Sequence, residues 1–176
     1  MEDDTTGLGL FGDMDVDKVP DDPWFVEAGV YLCRCTEAKV VQVSKGPNAG
    51  SSALFIQYTI DEPDSQYHGK MLSDYYQLFP GQRYEDLDAN EKTAVSRMKL
   101  RLRQGFDVPE AQLKSVQPSD LIGAELFITV KNTPGKGEHT GKTFTNIDDN
   151  KTMSRRLYEE RNEGGGRDES MSIASL

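Results

Sequence analysis

The sequence has few of the features that mark secreted, membrane-spanning or disulfide-stabilised proteins. Among its 176 residues it has two cysteines, Cys33 and Cys35. On a strand both would lie on one face, where the geometry for a bridge is poor, so we expect no disulfide. No apolar run approaches the roughly 20 residues needed to cross a bilayer, and the acidic start lacks the layout of a secretory signal. We therefore expect a soluble, cytoplasmic protein with no membrane contact.

Apolar side chains are also scarce: they make up 36% of the chain, and the mean hydropathy is −0.63. Segments this polar bury too little surface to offset the entropy lost on ordering. We therefore predict three parts: a flexible acidic arm at 1–22, one folded domain at 23–150, and a flexible, charged and glycine-rich tail at 151–176.

The net charge of −10 is concentrated at one end of the chain. Residues 1–27 carry nine acids and one lysine, whereas 28–150 carry sixteen acids and fourteen bases and 151–176 carry five of each. The corresponding net charges are −8, −2 and 0. An acidic total therefore does not exclude a basic patch on the domain that binds a polyanion.

Alternating apolar residues predict three strands in the first half of the domain. Residues 29–43 are rich in β-branched and aromatic side chains, and their alternation slips near Glu37-Ala38, which indicates a bulge or a sharp bend. Residues 53–60 alternate without a break, and a turn-rich connection precedes a third strand at 70–79. The side chains predicted to point inward from the second and third strands are Leu54, Ile56, Tyr58, Ile60, Leu72, Tyr76 and Leu78.

The period becomes helical at 88–104, where Asp88-Ala-Asn-Glu91 resembles an N-terminal capping box. Residues 121–131 and 143–148 predict a fourth and a fifth strand. Three strands, a helix and two more strands form the layout of a mainly β, five-stranded OB-fold barrel whose helix lies between strands three and four. A plain α+β sandwich fits the same order of elements.

Three motifs look chemical, but each lacks the context that its chemistry needs. Residues 7–12 match the letters of a dinucleotide-binding fingerprint, yet no predicted strand precedes them. Residues 135–143 are similar to a phosphate-binding loop, but the glycine spacing is wrong and a strand follows instead of a helix. The possible zinc ligands are Cys33, Cys35, His68 and His139, and their spacing is not that of a zinc knuckle. We expect a non-enzymatic protein with no metal and no cofactor.

Aromatic and amide side chains share the predicted outer face of strands two and three. Phe55, Gln57 and Tyr75 would lie side by side there, on the surface with which OB-folds bind their ligands. Aromatic rings on such a surface stack unpaired bases. Alternatively, the rings pack beneath a terminal arm or at a subunit contact.

Basic residues are predicted in the loops that border this surface. Lys45 lies between strands one and two, while Lys131, Lys136 and Lys142 lie at or after the end of strand four. Their charges would follow the phosphates of a nucleic acid strand. Arg34 either extends this basic surface or belongs to an ordinary solvated strand face, and the bases of the helix either join it or flank a packed helix.

The chain also resembles phage-encoded single-stranded DNA-binding proteins of replication and recombination cassettes over roughly residues 20–149. The shared features are Pro-Trp-Phe before Gly29-Val-Tyr31, Ser44-Lys-Gly46, the strand from Leu54 to Ile60, His68-Gly-Lys70, the basic helix, Asp120-Leu-Ile-Gly123 ahead of Leu126-Phe-Ile-Thr-Val-Lys131, and Asn146-Ile147.

The resemblance implies an OB-fold that coats single strands with little sequence preference, in the host cytoplasm, alongside recombinases or polymerases. The chain departs from cellular single-strand binders at its end, Met171-Ser-Ile-Ala-Ser-Leu176, which lacks an acidic tip for recruiting partners. The alternative function is an acidic protein–protein module or DNA mimic that binds no nucleic acid, which the pI near 4.7 favours.

Overall fold

A computed structural model describes residues 9–19 and 21–163, and within them the protein is mainly β. Six antiparallel strands form one sheet in the order β3-β2-β1-β4-β5, with β6 paired to β4. The strands are β1 (Gly29–Gln42), β2 (Ser52–Ile60), β3 (Met71–Gln77), β4 (Glu125–Pro134), β5 (Thr143–Ile147) and β6 (Met153–Ser154). The helices are α1 (Ala89–Leu100) and α2 (residues 155–163). The remainder of the predicted arm and tail lies outside the described residues.

The long first strand bends where the sequence pattern slips. The register of β1 against β2 shifts between Cys35 and Glu37, which leaves Thr36 as the additional residue of a β-bulge. Before the bulge, residues 29–34 pair with β4, and β2 follows the other edge of β1 from Cys33 to Gln42. The predicted bulge is thereby confirmed, and at this bend β1 changes from pairing with β4 to pairing with β2 alone.

The inner face of the sheet carries the core that the alternation predicts. Of the seven side chains predicted to point inward from β2 and β3, all but Leu78 are buried, and Leu78 packs against the core as a partly buried side chain. Cys33 and Cys35 are fully buried free thiols, which is consistent with the expected absence of a disulfide. The alternation of β2 places Ala53 on the outer face, yet it is 3% exposed, since its methyl group lies between its register partners Val41 and Gln77, whose side chains are longer.

The hydrogen bonds of the sheet do not show the five-stranded barrel that the sequence predicts. β3 and β5 are its two ends, and no ladder joins them within the described residues. The sequence also did not reveal the two-residue strand β6, which is too short to leave a periodic pattern.

Arg101 connects the two open ends of the sheet through buried polar contacts. Its Nε donates to Asp74 Oδ2 of β3 at 3.0 Å, and its Nη2 donates to Asp149 Oδ1, just after β5, at 2.8 Å. Tyr58 also donates to Asp74 Oδ2, at 2.6 Å, and Tyr76 accepts from Arg101 Nε at 3.1 Å. The Arg101 side chain is 1% exposed and that of Asp74 is 6% exposed, so both charges depend on these partners.

Burial lowers the pKa of the Arg101 guanidinium, but Asp74, Tyr58 and Tyr76 together raise that pKa by more, so the net change is upward. Burial and the same carboxylate raise the pKa of Tyr58 and of Tyr76. Both phenols therefore stay protonated at neutral pH, and the network contains one cation between two carboxylates, with one neutral hydroxyl group bonded to Asp74 and the other to Arg101.

Helix α1 begins where its capping box predicts and ends earlier than its apolar pattern suggests. Asp88 accepts from Glu91 N at 2.9 Å, and Glu91 accepts from Asp88 N at 3.0 Å. The helix then widens into a π-turn at Arg101–Gly105. In that turn Arg101 lies beneath the sheet, because Gly105 has no side chain to occupy the space beside it.

We expect Arg101→Met to lower the free energy of unfolding by about 3–5 kcal/mol, because Asp74 would remain buried without its cation. Arg103→Met is the matched control, since that exposed side chain contacts only the Val108 carbonyl and Glu110 and its loss costs about 1 kcal/mol or less. Urea unfolding followed by circular dichroism measures both. Equal losses in the two variants would contradict this role for Arg101.

Candidate functional site

Phe55 and Tyr75, here called the ring pair, lie together on the outer face of the sheet. They are directly opposite in the register of β2 and β3, and their ring centroids are 5.0 Å apart at an interplanar angle of 44°. Tyr75 is 62% exposed and Phe55 is partly exposed. The structure thus brings together the two aromatic residues that the sequence singled out, and neither ring is sealed inside the core.

The polar residues beside the ring pair come from all three neighbouring strands. Lys39 of β1 is opposite Phe55 in the register, and its Nζ lies 5.8 Å from the Phe55 ring centroid. Gln57, partly exposed, pairs with Ser73 and donates to the Met71 sulfur. An aromatic surface flanked by amide and ammonium groups results.

Helix α2 covers another part of the outer face and leaves the ring pair open. Tyr158 stacks on Phe127 of β4 with centroids 4.0 Å apart, and Arg155 Nη1 donates to Glu125 Oε2 at 2.6 Å. Arg156 pairs with Asp107, an interaction that lowers the pKa of that carboxyl group. Residues 155–163 of the segment predicted as a flexible tail are therefore a helix packed on the sheet, which leaves the outer surface of β2, β3 and the end of β1 open.

The two loops predicted to border the binding surface leave the sheet near opposite ends of β3. Loop L12 (residues 43–51) carries exposed Lys45, and the hydrogen bond from Leu78 N to Ser52 O places the end of L12 beside the end of β3. Loop L45 (residues 135–142) carries exposed Lys136 and Lys142 and lies across from the start and middle of β3. The ring pair lies between the two loops.

Loop L45 is a compact hairpin connection. Gly135 N donates to Lys142 O at 2.8 Å, and a Cβ atom at Gly135 would lie 2.1 Å from the His139 carbonyl oxygen. Only glycine fits so close an approach. Because Thr143 begins β5, the motif similar to a phosphate-binding loop is followed by a strand, as its sequence predicts.

The other predicted cations differ in their surroundings. Lys131 is exposed on β4 opposite Asn146 of β5. Arg34 is held by two carboxylates, with Nη2 3.5 Å from Asp61 Oδ2 and 3.2 Å from Glu125 Oε1. The charge of Arg34 is therefore largely compensated. By contrast, Lys45, Lys131, Lys136 and Lys142 have no carboxylate within 4 Å among the residues described.

The bases of α1 and of the π-turn are used mainly within the fold. Arg97 pairs with Asp149 at 2.7 Å, and both Lys99 and Arg103 pair with Glu110. Arg101 is buried. The sequence allowed the bases of the helix either to join the basic surface or to flank a packed helix, and the structure favours the second interpretation.

A cleft of about 960 Å³ separates the two ends of the sheet, β3 and β5. Beside Tyr75 it is lined by Trp24 from the N-terminal segment, by Phe144 of β5, and by Lys142. Trp24 is 68% exposed and Phe144 is 44% exposed. Sequence reasoning did not assign these two rings to the site. Strand alternation places Phe144 outward, opposite to Ile147, but no periodic signal locates Trp24.

The described residues contain no cluster of potential metal ligands, and both cysteines are buried. No three His, Cys, Asp or Glu side chains are grouped there as metal ligands would be. Burial raises the pKa of the Cys35 thiol to about 11 and raises the pKa of Cys33 as well. Both cysteines therefore belong to the core rather than to a reactive site.

Comparison with known proteins identifies no family for this chain. No family model matches the sequence, and no curated protein is significantly similar to it. Within residues 9–19 and 21–163, no helix combines the length and the apolar character needed to span a bilayer.

We expect neither cysteine to react with a disulfide reagent at pH 8 while the protein is folded, because both thiols are buried and protonated. Two thiols should react after unfolding in urea. The measurement is the absorbance released by Ellman's reagent before and after denaturant is added. Rapid labelling of the folded protein would contradict the buried position of the β1 inner face.

Proposed function

We propose that this protein binds single-stranded DNA with little sequence preference, and that it protects and presents the strand during phage DNA replication or recombination. The observation that carries the proposal is the open ring pair on β2 and β3, bordered by two lysine-bearing loops. The protein would act without catalysis or a cofactor, in the host cytoplasm, with recombination or replication proteins as partners.

The strand order supports an OB-fold, which is a partly open five-stranded barrel. In that fold strand one pairs with both strand two and strand four, as β1 does here. An OB-fold binds oligonucleotides across the outer face of strands two and three, between the loop after strand one and the loop after strand four. The ring pair, L12 and L45 occupy the corresponding places in the chain.

The ring pair supports binding of unpaired bases rather than of a duplex. Stacking on aromatic side chains needs the face of a base, which is covered by neighbouring bases in a duplex. Every base offers such a face, so rings on an open strand surface bind without reading sequence. Tyr75 is exposed enough to be one side of such a stack, and Phe55 supports it at 5.0 Å.

The distribution of charge supports phosphate contacts despite the acidic total. Residues 1–27 account for −8 of the net charge of −10. Lys45 on one side of the ring pair and Lys136 and Lys142 on the other are exposed and have no carboxylate partner within the described chain. A DNA strand that crosses from L12 to L45 would place its phosphates near these ammonium groups.

We expect labelled oligo-dT to bind, and Tyr75→Ala and Phe55→Ala each to weaken that binding by about 1–3 kcal/mol through the loss of stacking. Fluorescence anisotropy measures the affinity, with a duplex of equal length expected to bind far less. Tyr84→Ala is the matched control, because Tyr84 is 53% exposed but lies in the turn before α1, beside Lys92. If oligo-dT does not bind at any salt concentration, the chain is instead an acidic protein–protein module or a DNA mimic.

We expect the logarithm of affinity to fall linearly with the logarithm of salt concentration, and Lys142→Gln to reduce this slope by about 0.7, the value for one phosphate contact on a single strand. Lys114→Gln is the control, since that exposed lysine lies in the segment between α1 and β4 and does not line the cleft that Lys142 lines. Anisotropy titrations at several salt concentrations give both slopes. Identical slopes for the two variants would show that Lys142 of L45 does not contact a phosphate.

A further inference from the structure

The segment before β1 is fixed to the sheet by specific contacts. Val26 is fully buried; its N–H donates to Thr145 Oγ1 of β5 at 3.0 Å, and its carbonyl accepts from Asn132 of β4 at 2.9 Å. Lys70 Nζ, just before β3, donates to the Pro23 carbonyl at 2.8 Å. The segment therefore bridges the two ends of the sheet, and the position of Trp24 between these contacts is determined by the fold.

The conformation around Trp24 directs its ring away from the core. Asp22 Oδ1 accepts from Trp24 N at 2.9 Å, which closes a short turn two residues long. Trp24 remains 68% exposed although Val26, two residues later, is completely buried. A large aromatic ring that is held by its backbone yet exposed in a cleft is available to a ligand.

The cleft is continuous with the surface assigned to DNA under the proposed function. Tyr75, the exposed member of the ring pair, lines the cleft together with Trp24 and Phe144. Its partner Phe55 lies on the side of β3 away from the cleft, because β2 is the neighbour of β3 within the sheet. A DNA strand whose bases stack on the ring pair therefore needs only to pass the edge of β3 to reach Trp24.

The charges in the cleft distinguish the base end of a nucleotide from its phosphate. Asp21 and Asp22 line the cleft beside Trp24 and would repel a phosphate placed among the rings. Lys142 lines the same cleft from L45. This arrangement favours a base in contact with the rings and a phosphate held outside, near the lysine.

We propose that the cleft between β3 and β5 is a second base-binding subsite, in which Trp24 stacks an unpaired base of the strand that crosses the ring pair. This inference rests on the proposed function and adds to it a path for the DNA around the edge of β3. Phe144 forms the opposite side of the subsite, on β5.

Trp24 is the only tryptophan of the chain, so its fluorescence reports on this subsite alone. We expect a titration with oligo-dT to quench the tryptophan emission, with the same midpoint as the anisotropy change. Trp24→Ala should weaken binding about 5- to 150-fold, the fold-change of one lost stack, whereas Trp24→Phe should retain most of the affinity. Phe11→Ala is the control, because that ring is 53% exposed but does not line the cleft.

A series of dT oligonucleotides from about 4 to about 16 nucleotides separates the two surfaces further. We expect the effect of Trp24→Ala to vanish for the shortest oligonucleotides, which the ring pair alone can hold, and to appear as the length increases. Thermal unfolding of each variant identifies a loss of fold, and Trp24→Phe then provides the test with a ring of similar character.

The outcomes separate this inference from the proposed function. If oligo-dT binds by anisotropy but the tryptophan emission is unchanged, or if a folded Trp24→Ala variant binds as tightly as the unaltered protein at every length, the cleft subsite is wrong and the ring pair remains. If no oligonucleotide binds the unaltered protein, the proposed function itself is wrong.

Discussion

The ion pair between Arg101 and Asp74 is the contact on which the rest of the structure depends. Backbone hydrogen bonds hold β3 to β2 and β5 to β4, but within the described residues no ladder joins β3 to β5. Arg101 supplies that connection, since it reaches Asp74 on one end of the sheet and Asp149 beyond the other. Two buried charges are costly to desolvate and very costly to separate, so the contact sets the relative position of the two ends. Because side chains instead of a ladder connect them, a cleft remains where β3 and β5 face one another.

The same arrangement determines which part of the sheet is open to a ligand. The inner face is filled by the core, and α2 covers β4 on the outer face through Tyr158 and Arg155. The surface that remains contains the ring pair and continues into the cleft beside Trp24. The chain thus presents the exposed rings of Tyr75 and Trp24 beside one another, on β3 and on the segment before β1. Such exposed aromatic groups are characteristic of surfaces that bind ligands or partners.

The positions of the charged side chains in this protein matter more than their sum. Most of the net negative charge lies before β1, and Arg97, Lys99, Arg101 and Arg103 of α1 and the π-turn are paired with Asp149, Asp74 and Glu110. The lysines of L12 and L45 have no such partners in the part of the chain that is described. Arg34 has the same formal charge as these lysines, but its pairing with Asp61 and Glu125 makes it a structural contact. The total charge of −10 therefore gives no guide to the local potential at the ring pair.

Local sequence patterns were enough to predict the first five strands, the bulge near Glu37, the start of α1 and the sides on which Ile56, Tyr58 and Tyr76 lie. These features are set by neighbours within a few residues, through the alternation of strands and the capping of helices. Such patterns did not predict that Arg101 contacts Asp74, that α2 covers Phe127, or that Trp24 and Tyr75 line one cleft. Each of these contacts joins residues more than 25 positions apart, and no local period records which distant residues the fold will bring together.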